Sequence, residues 1–326
     1  MKKVVLSDCF KNMHVPAVAL EVPQVEAVPV PVLDGRHVWS PDLVTDLTAF
    51  WVSGARALAL KGGTGAGKTS GVLQWHARLG APLLMPQQRD DETARSWFGT
   101  MVPTETGGLA FQKGPLTLAA EKGLTFFTNE FNRLDPSEQL AFNEILDGNP
   151  FMIPETGEWI TPARGFRFIV AVNPSVRGVY TGRSEQEISS RHRFFWINVK
   201  GLSEEEERRL VQEDLEAYAK DFDEDKRRTI AENFVRVARM SRSQFAGDNG
   251  GAGTLLDVID TRVLRQWVKC YVLYRRKANA LHHSLSMALT GGSRPADAAA
   301  LHEFVTQVFG VTPDGAAAPP QPQAAG

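Results

Sequence analysis

The sequence predicts an α/β domain built on a mainly parallel sheet, followed by an all-helical domain, and three observations carry that reading. Short apolar strands alternate with amphipathic helices from residue 56 to residue 201. A complete phosphate-cradle motif, Gly62-x-x-x-x-Gly67-Lys68-Thr69, stands between one such strand and one such helix. After "RFFWINVKG" the strands stop and only helical stretches follow.

At 326 residues, 43% of them hydrophobic and 23% charged, the chain has the balance of a soluble globular protein and the length for one large or two ordinary domains. A net charge of -2 argues against a globally basic binder of nucleic acid or membrane surface. Cys9 and Cys270 are far apart and in no CxxC spacing, which fits free thiols in a reducing compartment. "MKKVVLSDCFKNMHVP" is too interrupted by polar residues for a signal peptide, and no stretch approaches a membrane span, so a cytoplasmic location is expected.

Residues 12–33 carry prolines at 16, 23, 29 and 31 among valines and read as extended backbone, so residues 1–35 are expected to form a proline-rich arm. A helix begins at Ser40, a candidate cap, with Pro41 and Asp42 behind it and Leu43, Leu47 and Phe50 at helical spacing; Gly54 ends it. "RALALKG" is the strand feeding the glycine loop, and "TSGVLQWHARLG" the helix leaving it. "ETGGLAFQKGPL" has glycines around short apolar pieces, as a hairpin insertion has, and "LTLAAEKG" is a helix. "LTFFTNE" is the next strand, and "DPSEQLAFNEILDG" a helix started by Asp135, Pro136 and Glu138 and stopped by Gly148. "FMIPETGEWITP" reads as a hairpin turning at Thr156-Gly157, and "GFRFIVAVNP" as another buried strand. In the second domain, Ser203 and Glu206 stand in capping-box spacing, and Glu204/Arg208 and Glu205/Arg209 pair four residues apart. Further helices are expected over 225–241, 261–290 and 296–309, and the tail 312–326 is expected to be disordered.

The loop motif carries the most specific chemistry. Its glycines let backbone N–H groups turn toward phosphates, Lys68 supplies positive charge, and the Thr69 hydroxyl is a Mg²⁺ ligand. Gly62, Gly63, Thr64, Gly65, Ala66, Gly67, Lys68, Thr69 and Ser70 are therefore the expected nucleotide-binding residues. A phosphate-loop enzyme ordinarily ends its second strand in Asp, to hold the metal shell, with a Glu following to polarise water. Here the pair is Asn129-Glu130, so the base is present while a neutral amide stands at the metal position. Asn173 ends a strand, where it would orient water, although an Asn before Pro is also an ordinary turn. Arg191 and Arg193 straddle a histidine before an apolar strand, and Arg262 opens a helix; taken singly, each is better read as a surface arginine.

Taken together and in order, "GGTGAGKT", "GLAFQKGPLTLAAEKG", "NEFNRLDPSEQLAFNEILDGNPFMIPETGEWITPARGFRFIVAVNPS", "SSRHRFFWINVKGLSEEEE" and "DTRVLRQW" resemble the MoxR-type AAA+ ATPases, most closely the CbbQ/NorQ/GvpN branch, over roughly residues 36–310. The resemblance implies an AAA+ nucleotide domain over 36–201, with a helix-2 insertion at "GLAFQKGPL" and a hairpin before the first sensor, and a helical lid over 202–311. It implies ATP and Mg²⁺ as cofactors, a ring usually of six with ATP between subunits, and work on a protein client with a von Willebrand factor A-domain partner. By position it makes Thr69 and Asn129 the metal-side residues, Glu130 the base, Asn173 sensor 1, Arg191 or Arg193 the arginine finger and Arg262 sensor 2. Asn129 departs from the family's Asp and bears on the rate of hydrolysis. Three functions are thereby in competition: a remodelling ATPase, a nucleotide-held scaffold that scarcely turns over, and a DNA-associated protein. The last rests only on scattered basic residues in "RVLRQWVKCYVLYRRK". No metal-ligand spacing links the seven histidines.

Overall fold

The strands Ala57–Lys61, Thr125–Asn129 and Arg167–Val172 are almost wholly buried, Thr125 and Thr128 included, which is the pattern of strands covered on both faces. In the computed structural model they are β3, β7 and β10 of a parallel sheet ordered β11-β3-β10-β7-β4, with β4 at Leu83–Leu84 and β11 at Phe195–Asn198. The structure describes residues 1–11, 13, 15–86, 94–105, 107–129, 131, 134, 136–173, 191–246 and 255–317. The described residues divide into two compact units, one from residues 1–200 apart from loop residues 64–66, the other from residues 201–317 with those three.

In the first unit, helix α2 (Pro41–Ser53) and helix α3 (Lys68–Leu79) flank β3 in sequence. Gly54, with φ of +73°, ends α2 in the left-handed region that glycine tolerates best. Ser40 stands at the N-cap of α2, but its side chain makes no capping bond, so that part of the sequence reading is corrected. A core of Trp97, Phe98, Phe126, Phe131, Phe142 and Phe168 packs one face of the sheet. The insertion is a hairpin of β5 (Gly99–Pro103) and β6 (Leu109–Lys113), so its first strand lies upstream of the expected segment, before helix α5 (Pro115–Lys122). The second hairpin is β8 (Phe151–Met152) with β9 (Trp159–Ile160), as its turn residues predict. The expected single helix before it is two short ones, α6 (Pro136–Leu140) and α7 (Asn143–Asp147). The break turns fully buried Phe142 into the aromatic core, where it stacks on Trp97 and Phe98.

The amino-terminal region is more than an extended arm. Lys2–Val5 (β1) and Ala19–Val22 (β2) pair antiparallel around the short helix α1 (Leu6–Cys9). The segment packs on its own chain: the Phe10 ring lies 5.0 Å from Trp75 of α3, and Arg78 donates to the Cys9 carbonyl at 3.0 Å. Gln74 donates to the Val32 carbonyl and accepts from Asp34 N–H, fastening residues 32–34 to the same helix. Aromatic and apolar anchors that recur at no fixed period explain why the pairing was not visible locally.

The second unit is helical: α8 (Glu204–Tyr218), α9 (Glu224–Ala246), α10 (Thr261–Tyr274), α11 (Ala280–Ala288) and α12 (Pro295–Phe309). The capping box at Ser203 is complete, with Glu206 N–H donating to the Ser203 hydroxyl at 3.2 Å and Ser203 N–H to the Glu206 carboxylate at 2.7 Å. The expected ion pairs are rearranged: Arg208 meets Glu205 and Glu232, Arg209 meets Glu213, and Glu204 meets Arg239. The stretch expected as one helix over 261–290 folds back between α10 and α11, which lets Trp267 donate to the Leu281 carbonyl at 3.0 Å and buries Leu281 and Leu285 against it. The presumed disordered tail is ordered through residue 317: Val311 bridges Ala317, and residues 318–326 lie outside the described residues. His282 holds its start, with Nε2 2.7 Å from the Val311 carbonyl and Nδ1 2.9 Å from His302 Nδ1; His302 Nε2 lies 3.0 Å from Thr290 Oγ1. Both cysteines are free, and among the described residues no helix is long and apolar enough to cross a membrane.

His76 in α3 is fully buried beside Trp51, and burial, assisted by the Arg167 cation, lowers its pKa to about 4. Folding thus favours the neutral ring. Its contribution is complete above the ordinary value of 6.5 and is lost as pH falls toward 4, a change on the order of 3 kcal/mol. Thermal melts across that interval are expected to show falling stability in the native chain and a flatter profile in His76→Phe; parallel profiles would remove His76 as the source.

Candidate functional site

The first unit gathers four of the expected residues at one edge of its sheet. Strand register does the gathering: Lys61 lies opposite Val172 and Asn129 opposite Ala171, so β3, β7 and β10 finish side by side at their carboxyl ends. Gly62 N–H donates to the Val172 carbonyl at 3.3 Å, which ties the start of the glycine loop to the strand that ends in Asn173. Gly67, with φ of +92°, then turns the loop into α3, a conformation that an L side chain adopts only with strain.

The first two residues of α3 face the ends of the neighbouring strands. Lys68 is buried, and its Nζ donates to the carbonyls of Gly62 at 2.7 Å and Gly63 at 2.8 Å and to Asn173 Oδ1 at 2.7 Å. Three neutral oxygens thus hold a cation at the mouth of the loop. Thr69 Oγ1 donates to Asn129 Oδ1 at 2.7 Å. Ser70 closes the turn by donating to the Gly67 carbonyl at 3.2 Å.

This arrangement suits an anion with an accompanying hard cation. The buried Lys68 ammonium, held by those oxygens at the mouth of the loop, carries a charge complementary to phosphate oxygens. Thr69 and Asn129 both present neutral oxygens, the donor type that Mg²⁺ takes. Neither brings negative charge, so the pair fits a metal delivered with phosphates better than one held by protein alone.

The arginines lie elsewhere. Arg191 and Arg193 precede β11, which runs parallel to β3 with Phe195 opposite Leu58. They are therefore at the amino-terminal edge of the sheet, on the order of 15 Å along the strands from the edge that carries Lys68. Arg193 Nε donates to Asp147 Oδ2 at 2.9 Å, and the exposed Arg191 accepts Trp196 Nε1–H on its carbonyl. Asp147 was not singled out in the sequence; its only local signal is its place before the helix-ending Gly148. Arg262 belongs to the helical unit, in the first turn of α10, with a side chain 79% exposed and 3.6 Å from Asp260. Glu130 lies outside the described residues.

Residues 57–194, which include the cradle and all three strand ends, match the family model of the AAA domain, dynein-related subfamily. Protein NorQ of Paracoccus denitrificans is 31% identical over 121 residues, which cover 37% of this chain and 44% of the relative. The denitrification regulatory protein NirQ of Stutzerimonas stutzeri is 28% identical over 170 residues, 52% of this chain and 60% of the relative. These matches support an AAA+ domain of the MoxR type over residues 57–194. Midasin of Dictyostelium discoideum is 31% identical over 181 residues, 54% of this chain but 3% of that protein. The chain thus spans a small part of midasin and about half the length of the other two. An AAA domain implies nucleotide binding, and proteins of this family typically form oligomeric rings.

A charge-assisted hydrogen bond to phosphate contributes about 1.5–3 kcal/mol. Lys68→Ala is therefore expected to weaken binding of a fluorescent ATP analogue by about tenfold to a hundredfold in equilibrium titration; an affinity within about threefold of the native chain would remove Lys68 from the phosphate contact.

Proposed function

We propose that the protein is a ring-forming ATPase that couples ATP hydrolysis between subunits to conformational work on a protein client. The observation that carries this reading is the division of the site between opposite sheet edges. Lys68, Thr69, Asn129 and Asn173 occupy the carboxyl-terminal edge, and Arg191 and Arg193 the amino-terminal edge. One chain's arginines are too far along the strands to serve its own phosphates, whereas those of a second copy placed edge to edge are not.

In this reading Gly62 to Ser70 wrap the phosphates, and Lys68 leaves its three oxygen partners to neutralise them. Bound Mg²⁺ supplies charge neutralisation and geometry for the transferring phosphoryl group. Thr69 and Asn129 sit on its side, Glu130 holds the water's proton, and Asn173, released from Lys68, orients that water. An arginine of the neighbouring copy stabilises charge that develops on the phosphate, and Arg262 adds a further positive charge. The relative NirQ is named a denitrification regulatory protein, which supports a regulatory role, and an enzyme assembly as the client is part of the same proposal. A von Willebrand factor A-domain partner and a six-membered ring are part of the same proposal.

The contact between Thr69 and Asn129 favours one alternative, a nucleotide-held scaffold. The amide already accepts the threonine hydroxyl and offers metal-bound water no negative charge, so turnover is slowed at the metal.

Steady-state ATP turnover at varied Mg²⁺ separates the two. The ATPase reading expects native turnover within tenfold of about 10 s⁻¹, its loss in Glu130→Gln, and a lower Mg²⁺ requirement in Asn129→Asp. Turnover seen only in Asn129→Asp would replace the ATPase with the scaffold. The shared site has its own check. Mixing inactive Lys68→Ala with inactive Arg191→Ala/Arg193→Ala chains is expected to restore part of the activity, because mixed interfaces unite an intact cradle with intact arginines; no recovery at any ratio would count against a site built from two copies.

A further inference from the structure

Arg262 is useful to a nucleotide only if the helix that carries it has a fixed starting point. Fixation comes from two neighbouring helices. Ile259 N–H donates to Ser241 Oγ at 3.0 Å, and Arg242 Nε donates to the Ile259 carbonyl at 2.9 Å, both from α9. Asp260 caps α10 by accepting Val263 N–H at 2.8 Å, and its other oxygen lies beside Arg262.

One carboxylate joins these parts. Glu207, in the first turn of α8, is 0% exposed. Its Oε1 accepts the Thr261 hydroxyl at 2.7 Å, and its Oε2 accepts Arg242 Nη1 at 2.8 Å. Removing a carboxylate from water is costly, and a well-packed apolar side chain commonly stabilises such a position as well or better. Stability alone therefore gives little reason for a buried charge here. Its two bonds go to the residue directly before Arg262 and to the arginine that holds the carbonyl of Ile259. We infer that Glu207 is a positioning residue for Arg262: it locks the first turn of α10 to α8 and α9, so that the guanidinium is presented at one place rather than over a range. The inference rests on the proposed role of Arg262 at the nucleotide.

The test is a double-substitution cycle on the full chain, with kcat, KM and the dissociation constant of a fluorescent ATP analogue measured for native, Glu207→Gln, Arg262→Ala and the combined variant. Glu207→Gln keeps the shape and places an amide N–H against one of two existing donors. It is expected to lower kcat/KM, or analogue affinity where turnover is too slow to follow, by about tenfold. Arg262→Ala is expected to lower it at least as far, and Glu207→Gln to add less than about threefold once Arg262 is gone. A merely structural carboxylate predicts losses that multiply, and that result overturns the inference while leaving Arg262 in its role. An Arg262→Ala chain with native kinetics overturns both. Because Glu207→Gln risks misfolding, Thr261→Val and Thr261→Ser provide a second route that leaves the buried charge paired with Arg242. Valine is expected to lose activity and serine to retain it; equal activity in the two overturns the inference.

Discussion

The phosphate edge of this protein depends on the register in which β10 lies between β3 and β7. Slipping β10 by one residue would reverse every side chain of the strand to the other face of the sheet. Slipping it by two would carry Asn173 about 7 Å along the strand axis, well beyond the 2.7 Å contact with Lys68. The register is held by apolar burial on both faces, in which Phe126, Phe168 and Ile169 are wholly enclosed. Core packing far from any phosphate thus sets the distance between a lysine and an amide at the strand ends.

Much of this was legible in the sequence because it is local. The glycine loop, the strand ending in Asn129, the capping box at Ser203 and the turn at Gly157 each announce themselves within a few residues. What the sequence could not provide were choices made across the fold. Apolar spacing continues through residues 141–142, so nothing local reveals that Phe142 is reached by breaking a helix, and the charged run at 275–277 reads equally as a helix's solvated face or as the break before Leu281. Glu204 can pair with Arg208 on its own helix or with Arg239 on the next, and tertiary packing selects the second. The arginines at 191 and 193 were visible as residues, but their place at the opposite sheet edge follows only from the parallel pairing of β11 with β3.

The amino-terminal segment makes a related point about scale. Prolines and valines suggested a strap with no fixed resting place, yet Phe10 is almost completely enclosed, with Trp39 and Trp75 around it. Packing of this kind stiffens α3 along its length from the side remote from the phosphates. The helix that begins with Lys68 is therefore braced by residues more than fifty positions earlier in the chain.

The histidine contact in the helical unit has a direction. A nitrogen facing a carbonyl must carry hydrogen, so His282 is protonated at Nε2, and as a neutral ring it has a bare Nδ1. His302 must then supply the hydrogen between the two rings, which leaves its own Nε2 to accept from the Thr290 hydroxyl. Burial, and then the electrostatic effect of the neighbouring ring, depress the pKa of His302, in keeping with a neutral His302 imidazole. From threonine to histidine to histidine to the carbonyl of Val311, every donor points the same way. The segment that follows residue 311 is moored at the end of a one-way chain of hydrogen bonds, whose tautomers are dictated by its last atom.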